Sequence, residues 1–237
     1  MSEVTFQVGG GQRSGYLARP PGGGPWPGVV LIHEIFGLNQ DIRELSERFA
    51  ATGYLALAPD FYAGGKWRKC MRVAFRQLAA GEGEIFDAVD AAREWLAGQG
   101  DCTGRVGVIG FCLGGGFALL SAPRYDFAAA SVNYGEVPQD AERILGGACP
   151  IVASYGGRDR TMRGRPERLK RALEINQVEH DLAVYPDAGH GFLVAQSWPT
   201  TITVLGNLIG MHPGPHEPSA RDAWQRIDAF FDAHLRS

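Results

Sequence analysis

Residues 105–117 read RVGVIGFCLGGGF, and the fold turns on this stretch. An apolar run, Val106–Ile109, ends at Gly110, a cysteine follows at 112, and glycines stand at 114, 115 and 116. Gly110, Cys112 and Gly114 fill a G-x-nucleophile-x-G pattern, with cysteine where serine is usual. That pattern encodes a sharp strand-to-helix turn that lifts its central side chain above the end of a sheet. Glycines are needed beside it because a Cβ would clash in so tight a turn. The strand before the turn is therefore Val106–Ile109, and the helix after it is Leu113–Ser121.

Outward from this turn, apolar strands alternate with amphipathic helices. Gly28–His33 (GVVLIH), Tyr54–Ala58, Ala128–Tyr134, Pro150–Tyr155 and His180–Tyr185 read as strands. The unbroken apolar run of the first marks a strand covered on both faces. Helices are expected at Gln40–Thr52, with Asn39 as cap, and at Trp67–Ala80, Glu84–Ala97, Pro166–Asn176 and Ala220–Leu235. Val4–Val8 and Gly15–Arg19 form an antiparallel opening pair. Alternating strands and helices predict an α/β fold, a mostly parallel sheet with helices on both faces. No repeat or Pro/Ser-rich linker divides residues 1–237, which read as one domain.

The totals narrow the function. The 237 residues carry 45% hydrophobic and 21% charged residues, the profile of an ordinary soluble globule. A net charge of −3 argues against nucleic acid as partner, because phosphate binding calls for a basic surface. No apolar run reaches membrane-spanning length. The first residues, MSEVTFQVGG, lack the basic and apolar regions of a secretory signal. Cys70, Cys102, Cys112 and Cys149 are dispersed, without a C-x-x-C pair, which fits a reducing cytoplasm rather than disulfides or a zinc site.

A cysteine nucleophile needs a base, and the base needs a partner that fixes its tautomer. In parallel sheets such groups stand in loops at the C-terminal ends of strands. Asp159 follows the Pro150–Tyr155 strand in YGGRD, and His190 follows the next strand in YPDAGHGF. Asp187 competes with Asp159, but it lies three residues before the histidine and reads as a turn former. Two backbone donors are needed for an oxyanion: Leu113, at a helix N-terminus, and Ile35, in the HEIFGLN loop.

Together these segments resemble the dienelactone hydrolase (carboxymethylenebutenolidase) family of the α/β-hydrolase superfamily. The resemblance rests on HEIFGLN at 33–39, APDFY at 58–62, GFCLGGG at 110–116, YGGRD at 155–159 and YPDAGHGF at 185–192. It implies a triad of Cys112, Asp159 and His190, oxyanion donors at Ile35 and Leu113, and a glutamate, Glu34, that contacts the resting cysteine. It also implies arginines that bind a substrate carboxylate. Arg68 and Arg72, in KWRKCMRVAFR, are candidates for one; the other falls four residues after the catalytic histidine, where this chain has Val194. That departure sets the family's usual substrate in question.

The implied activity is metal-free and cofactor-free hydrolysis of an activated ester, an enol lactone of the dienelactone type, through a cysteine thioester. The partner is a small-molecule ester or lactone, and the chain is expected to act as a monomer or homodimer. Two alternatives stand beside this: the same chemistry on a neutral or different ester, and a non-catalytic ligand-binding relative. Residues 195–219 read as a long loop or lid-like insertion, either over the pocket mouth or covering core or a second subunit. His212 and His216 within it lack an obvious third ligand for a metal.

Overall fold

The computed structural model describes residues 2–62, 64–194 and 198–236. In chain order the elements are β1 (Ser2–Val8), β2 (Gly11–Ala18), β3 (Trp26–Ile32), α1 (Gln40–Ala51), β4 (Leu55–Pro59), α2 (Trp67–Ala80) and α3 (Glu84–Ala97). Then come β5 (Cys102–Phe111), α4 (Leu113–Ser121), β6 (Ala129–Asn133), α5 (Ala141–Ile144) and β7 (Ile151–Gly156). A 3-10 turn (Arg160–Met162), α6 (Arg165–Ile175), β8 (His180–Tyr185), α7 (Thr200–Leu208) and α8 (Glu217–Leu235) complete the order.

The strands form one eight-stranded sheet in the order β1-β2-β4-β3-β5-β6-β7-β8. β1–β2 and β2–β4 pair antiparallel, and every pair from β4 to β8 is parallel. The sheet is therefore the mostly parallel one that the alternating pattern predicts.

The register shows which helices cover which face. Gly28 pairs with Val106 and Val29 with Gly107, so Gly28 and Gly107 point to opposite sides. A Cβ on Gly28 would meet Leu96 of α3, and one on Gly107 would meet Leu235 of α8. The central strands are thus covered on both faces, and Val29, Val30, Leu31 and Ile32 are fully buried as their apolar run requires. α1 and α8 share one layer, joined by the Phe49–Phe231 ring contact and the paired Arg48–Asp228 hydrogen bonds. The Asn39 side chain caps α1, accepting from the Ile42 N–H at 3.1 Å.

Several elements differ from expectation. β5 begins at Cys102, four residues early, because residues 102–105 continue the strand beyond the buried run. The short α5 was not anticipated: four residues carry too little periodicity to be read from sequence. Residues 195–219 are not one long loop, since α7 occupies Thr200–Leu208 and α8 starts at Glu217. Ala195, Gln196 and Ser197 lie outside the described residues.

Candidate active site

The turn after β5 has the strained geometry that the glycine pattern predicts. Cys112 sits at φ 54°, ψ −118°, a conformation L-residues rarely adopt, and its N–H donates to Asn133 O at 3.0 Å. The glycines are required by backbone proximity. A Cβ on Gly110 would lie 2.0 Å from Gly114 O, and one on Gly114 would lie 2.3 Å from Ile32 O. Asn133 braces the strand end, its Nδ2 donating to Gly110 O at 3.2 Å. Cys112 itself remains partly accessible. Leu113 opens α4, so its N–H has no partner within that helix.

Asp159 and His190 meet as their places in the chain suggest. Asp159 Oδ2 lies 2.6 Å from His190 Nδ1, and both residues are buried. The other oxygen, Oδ1, accepts from the N–H and hydroxyl of Thr161 at 2.9 and 2.5 Å. The carboxylate is thus fixed on both sides and directs the ring's Nε2 away from itself. Among the described residues, buried Nε2 has no hydrogen-bond partner of good geometry, and the Cys112 sulfur is the group that acts on it. Burial by itself would lower the basicity of His190, but the Cys112 sulfur and the Asp159 carboxylate outweigh it and raise its pKa to about 10. The Cys112 sulfur is thus one of the groups whose charge the imidazole feels. Asp187, the competing acid, is exposed and lines a separate cavity of about 250 Å³ with Arg158, His212 and His216.

Glu34 is buried at 3% exposure, and among the described residues its Oε1 has no hydrogen-bond partner. Burial raises its pKa to about 7, which the nearby His190 only partly counters. The groups that set its charge are His190, Asp41 and Tyr134, which puts Glu34 near the Asp159–His190 pair. Ile35 is held by its carbonyl, which accepts from Tyr62 Oη at 3.1 Å and Trp67 Nε1 at 2.6 Å.

The two candidate arginines are not brought to this cluster. α2 turns Ala74 into the core, with Cys70 and Leu78 on the same stripe, which leaves Arg68 and Arg72 exposed on the far side. They line a surface cavity of about 450 Å³ with Lys66, Lys69, Val73 and Arg76, and none of Cys112, Asp159 or His190 takes part in it. Val194, where the second family arginine falls, is 2% exposed and packs in the core.

Tyr134 and Trp198 join the site without having been singled out for it. Tyr134 directly follows β6 at φ 41°, and its ring lies 5.0 Å from that of His190. The strand-end rule that located Asp159 applies equally to Tyr134. Trp198 stands edge-on to His190 at 5.8 Å and to Phe36 at 5.3 Å. Gly191 makes room for it, since a Cβ there would be 3.2 Å from the indole.

Beyond Trp198, residues 210–216 act as a splint. Met211 O accepts from the His190 N–H at 3.0 Å, and Gly214 N donates to His190 O at 3.0 Å. Gly210 O accepts from Arg160 N, next to Asp159, at 2.8 Å. One segment therefore grips the Asp159 and His190 loops by their backbones. His212 and His216 face the Asp187 cavity, and His216 Nδ1 is bonded to Ser219 Oγ at 2.8 Å. α7 leaves Val204, Leu205, Leu208 and Ile209 exposed.

Residues 14–235 match the model of the dienelactone hydrolase family. The chain belongs to that family. A protein of Escherichia coli (strain K12), provisionally named a carboxymethylenebutenolidase, is 30% identical over 239 residues, covering 91% of this chain and 80% of the relative. A structure from Klebsiella pneumoniae, provisionally named a dienelactone hydrolase, superposes with TM-score 0.78 at 28% identity, covering 97% of both chains. A dienelactone hydrolase structure from Anabaena variabilis, at 22% identity and TM-score 0.72, covers 99% of this chain and 97% of its own and shows the shared fold. The dienelactone hydrolase family is a family of hydrolases with the α/β-hydrolase fold, the architecture already traced in the sheet. Among the described residues, no helix is long and apolar enough to cross a membrane.

Proposed function

We propose that this chain hydrolyses an activated carboxylic ester, an enol lactone of the dienelactone type, through a thioester on Cys112. The observation that carries the reading is the buried Asp159–His190 pair at 2.6 Å, with the strained Cys112 as the near charge on the histidine. The Cys112 thiolate adds to the carbonyl carbon, and the electron pair moves onto the carbonyl oxygen. Backbone N–H groups of Ile35 and Leu113 stabilise that oxyanion. Collapse breaks the C–O bond, and the leaving enolate takes a proton from the His190 imidazolium.

His190, now neutral and oriented by Asp159, accepts a proton from water as the water adds to the thioester. The second tetrahedral intermediate expels the Cys112 thiolate and releases the acid. Glu34 supports the resting state, since a carboxyl buried beside His190 disfavours further negative charge in the site. An enol is a good leaving group, which suits a thiolate that would itself be expelled in preference to a poor one.

A second reading differs only in substrate: a neutral ester. It is favoured by the buried Val194, the aromatic wall of Phe36 and Trp198, and the exposed positions of Arg68 and Arg72. The deciding experiment compares kcat/KM for a dienelactone and a neutral aryl ester, with Cys112→Ala as control. Preference for the lactone supports the first reading and preference for the aryl ester the second. Full turnover by folded Cys112→Ala refutes both, as does failure to trap an acyl group on Cys112 by mass spectrometry after acid quenching.

A further inference from the structure

The oxyanion donor at Ile35 belongs to the Glu34–Ile35 peptide, and the direction of its N–H depends on how that peptide plane is held. The plane is fixed by its own oxygen. Glu34 O accepts from His33 Nδ1 at 2.7 Å and from Gly37 N at 3.2 Å. On the other side of the imidazole, Phe61 N donates to His33 Nε2 at 3.3 Å. This pair of bonds defines one tautomer, neutral with the proton on Nδ1, because a backbone N–H facing Nε2 leaves only the acceptor role there. The ring is 3% exposed and packed between Phe61 at 5.1 Å and Tyr62 at 4.9 Å. Burial keeps its pKa below the ordinary histidine value, in agreement with that neutral form.

We infer that His33 is a positioning residue for the oxyanion hole: through the Glu34 carbonyl, it sets the angle at which the Ile35 N–H meets the developing oxyanion. This rests on the proposed role of Ile35 and deepens it. A peptide is planar, so its C=O and N–H are antiparallel and anchoring one aims the other. Phe61 follows β4, so the imidazole also ties the β3–α1 loop to the loop after β4. The neighbouring Ile35 carbonyl is held by Tyr62 and Trp67, from the same post-β4 segment. The peptides on both sides of Ile35 are therefore anchored, and rotation of the Ile35 N–H is opposed from two directions. His33 touches no reacting atom in this scheme.

The test uses His33→Leu and His33→Asn in the full chain. Leucine fills the space but removes the donor. Asparagine places an amide N–H near the Nδ1 position and keeps the bond to Glu34 O. Two rates are read for each: turnover of a neutral aryl ester, and alkylation of Cys112 by iodoacetamide, located by mass spectrometry of its peptide. Alkylation displaces iodide at a saturated carbon and forms no oxyanion, so it reports on the thiolate without the hole. Removing an oxyanion donor outright costs about 100- to 1000-fold in kcat. Misdirecting one should cost less, about 10- to 100-fold.

The expected result is that His33→Leu lowers kcat by that factor with KM little changed and Cys112 alkylation at the wild-type rate, while His33→Asn recovers most of kcat. Wild-type turnover in His33→Leu would overturn the inference. So would a parallel fall in alkylation, which would mean general damage to the site, or an Asn variant no better than Leu. If His33→Leu does not fold, the Asn variant still decides, because a kcat as low as that of an Ile35→Pro control, which lacks the N–H, would refute the role. Full ester turnover by Cys112→Ala, run alongside, would instead sink the parent reading and leave the geometry of His33 without a reaction to serve.

Discussion

Asp159 holds His190 Nδ1 at 2.6 Å with one carboxylate oxygen while Thr161 occupies the other. The acid is thus committed on both sides, and the imidazole has a single orientation that frees Nε2 for chemistry. Asp159→Asn should retain the fold and the Thr161 contact yet present an amide N–H to Nδ1. The histidine would then carry its proton on Nε2, where it cannot act as base. The expected loss in kcat is about 100- to 10,000-fold with a modest change in KM, measured on an aryl ester. A variant within threefold of wild type would remove Asp159 from the mechanism.

Glu34 predicts a pH dependence of stability. Its folded pKa, raised to about 7 by burial, lies above its unfolded value of 4.5, so the folded state binds the proton more tightly. The associated stability is fully present below pH 4.5 and is lost as pH rises through 7. At about 1.4 kcal/mol for each pKa step, the full effect is about 3 kcal/mol. Glu34→Gln removes this contribution's pH dependence. Its melting temperature should match wild type near pH 4.5 and exceed it above pH 7. Parallel melting curves for the two proteins across pH 4.5–8 would contradict the raised pKa.

Gly114→Ala tests the turn itself. The added Cβ would lie 2.3 Å from Ile32 O and 2.7 Å from His33 O, and both obstacles are backbone that cannot rotate aside. Destabilisation of about 3 kcal/mol or more is expected, seen as insolubility or a melting temperature lower by many degrees. Gly64→Ala makes a useful contrast, since a Cβ there meets nothing within 4 Å among the described residues and its φ of +71° is what opposes substitution. Equal stability of the two variants would show that the turn relaxes more readily than its contacts imply.

The splint predicts a selective loss of function. A Cβ on Gly189 would lie 1.8 Å from His212 O, so Gly189→Ala must push residues 210–216 away from the histidine loop. The Met211 and Gly214 bonds to His190 would be lost with that movement. Turnover should fall at least tenfold, and limited proteolysis should cut within residues 200–216 sooner than in wild type. Unchanged cleavage together with unchanged kcat would show that the segment does not position His190.

The sheet was legible because its signals are local. A buried parallel strand must be apolar along its whole length, as in Gly28–His33, and a helix of moderate length shows its buried stripe, as in Glu84–Ala97. Asp159 and His190 were legible for a related reason: a parallel sheet gathers its strand ends on one side, so the order of strands predicts which loops converge. Residues 195–219 were not legible. Their apolar residues divide between Trp198, buried against His190, and the exposed face of α7, and no periodicity distinguishes the two. The backbone bonds from residues 210–216 to His190 leave no side-chain signature at all. The exposed placement of Arg68 and Arg72 was not legible either, because a cationic motif does not reveal which side of α2 faces the core.

The stretch from Arg105 to Phe117 therefore determined by itself that a strand must turn sharply into a helix and display a cysteine there. Only glycines fit where backbone approaches backbone, and that constraint is written into the residue order. The tertiary structure alone decided how that cysteine is surrounded: a carboxyl buried near His190, a His33 ring bonded to the Glu34 carbonyl and the Phe61 N–H, and the Trp198 indole edge-on to His190. Those relationships depend on distances between segments far apart in the chain, and such distances are set by packing, not by any one segment's composition.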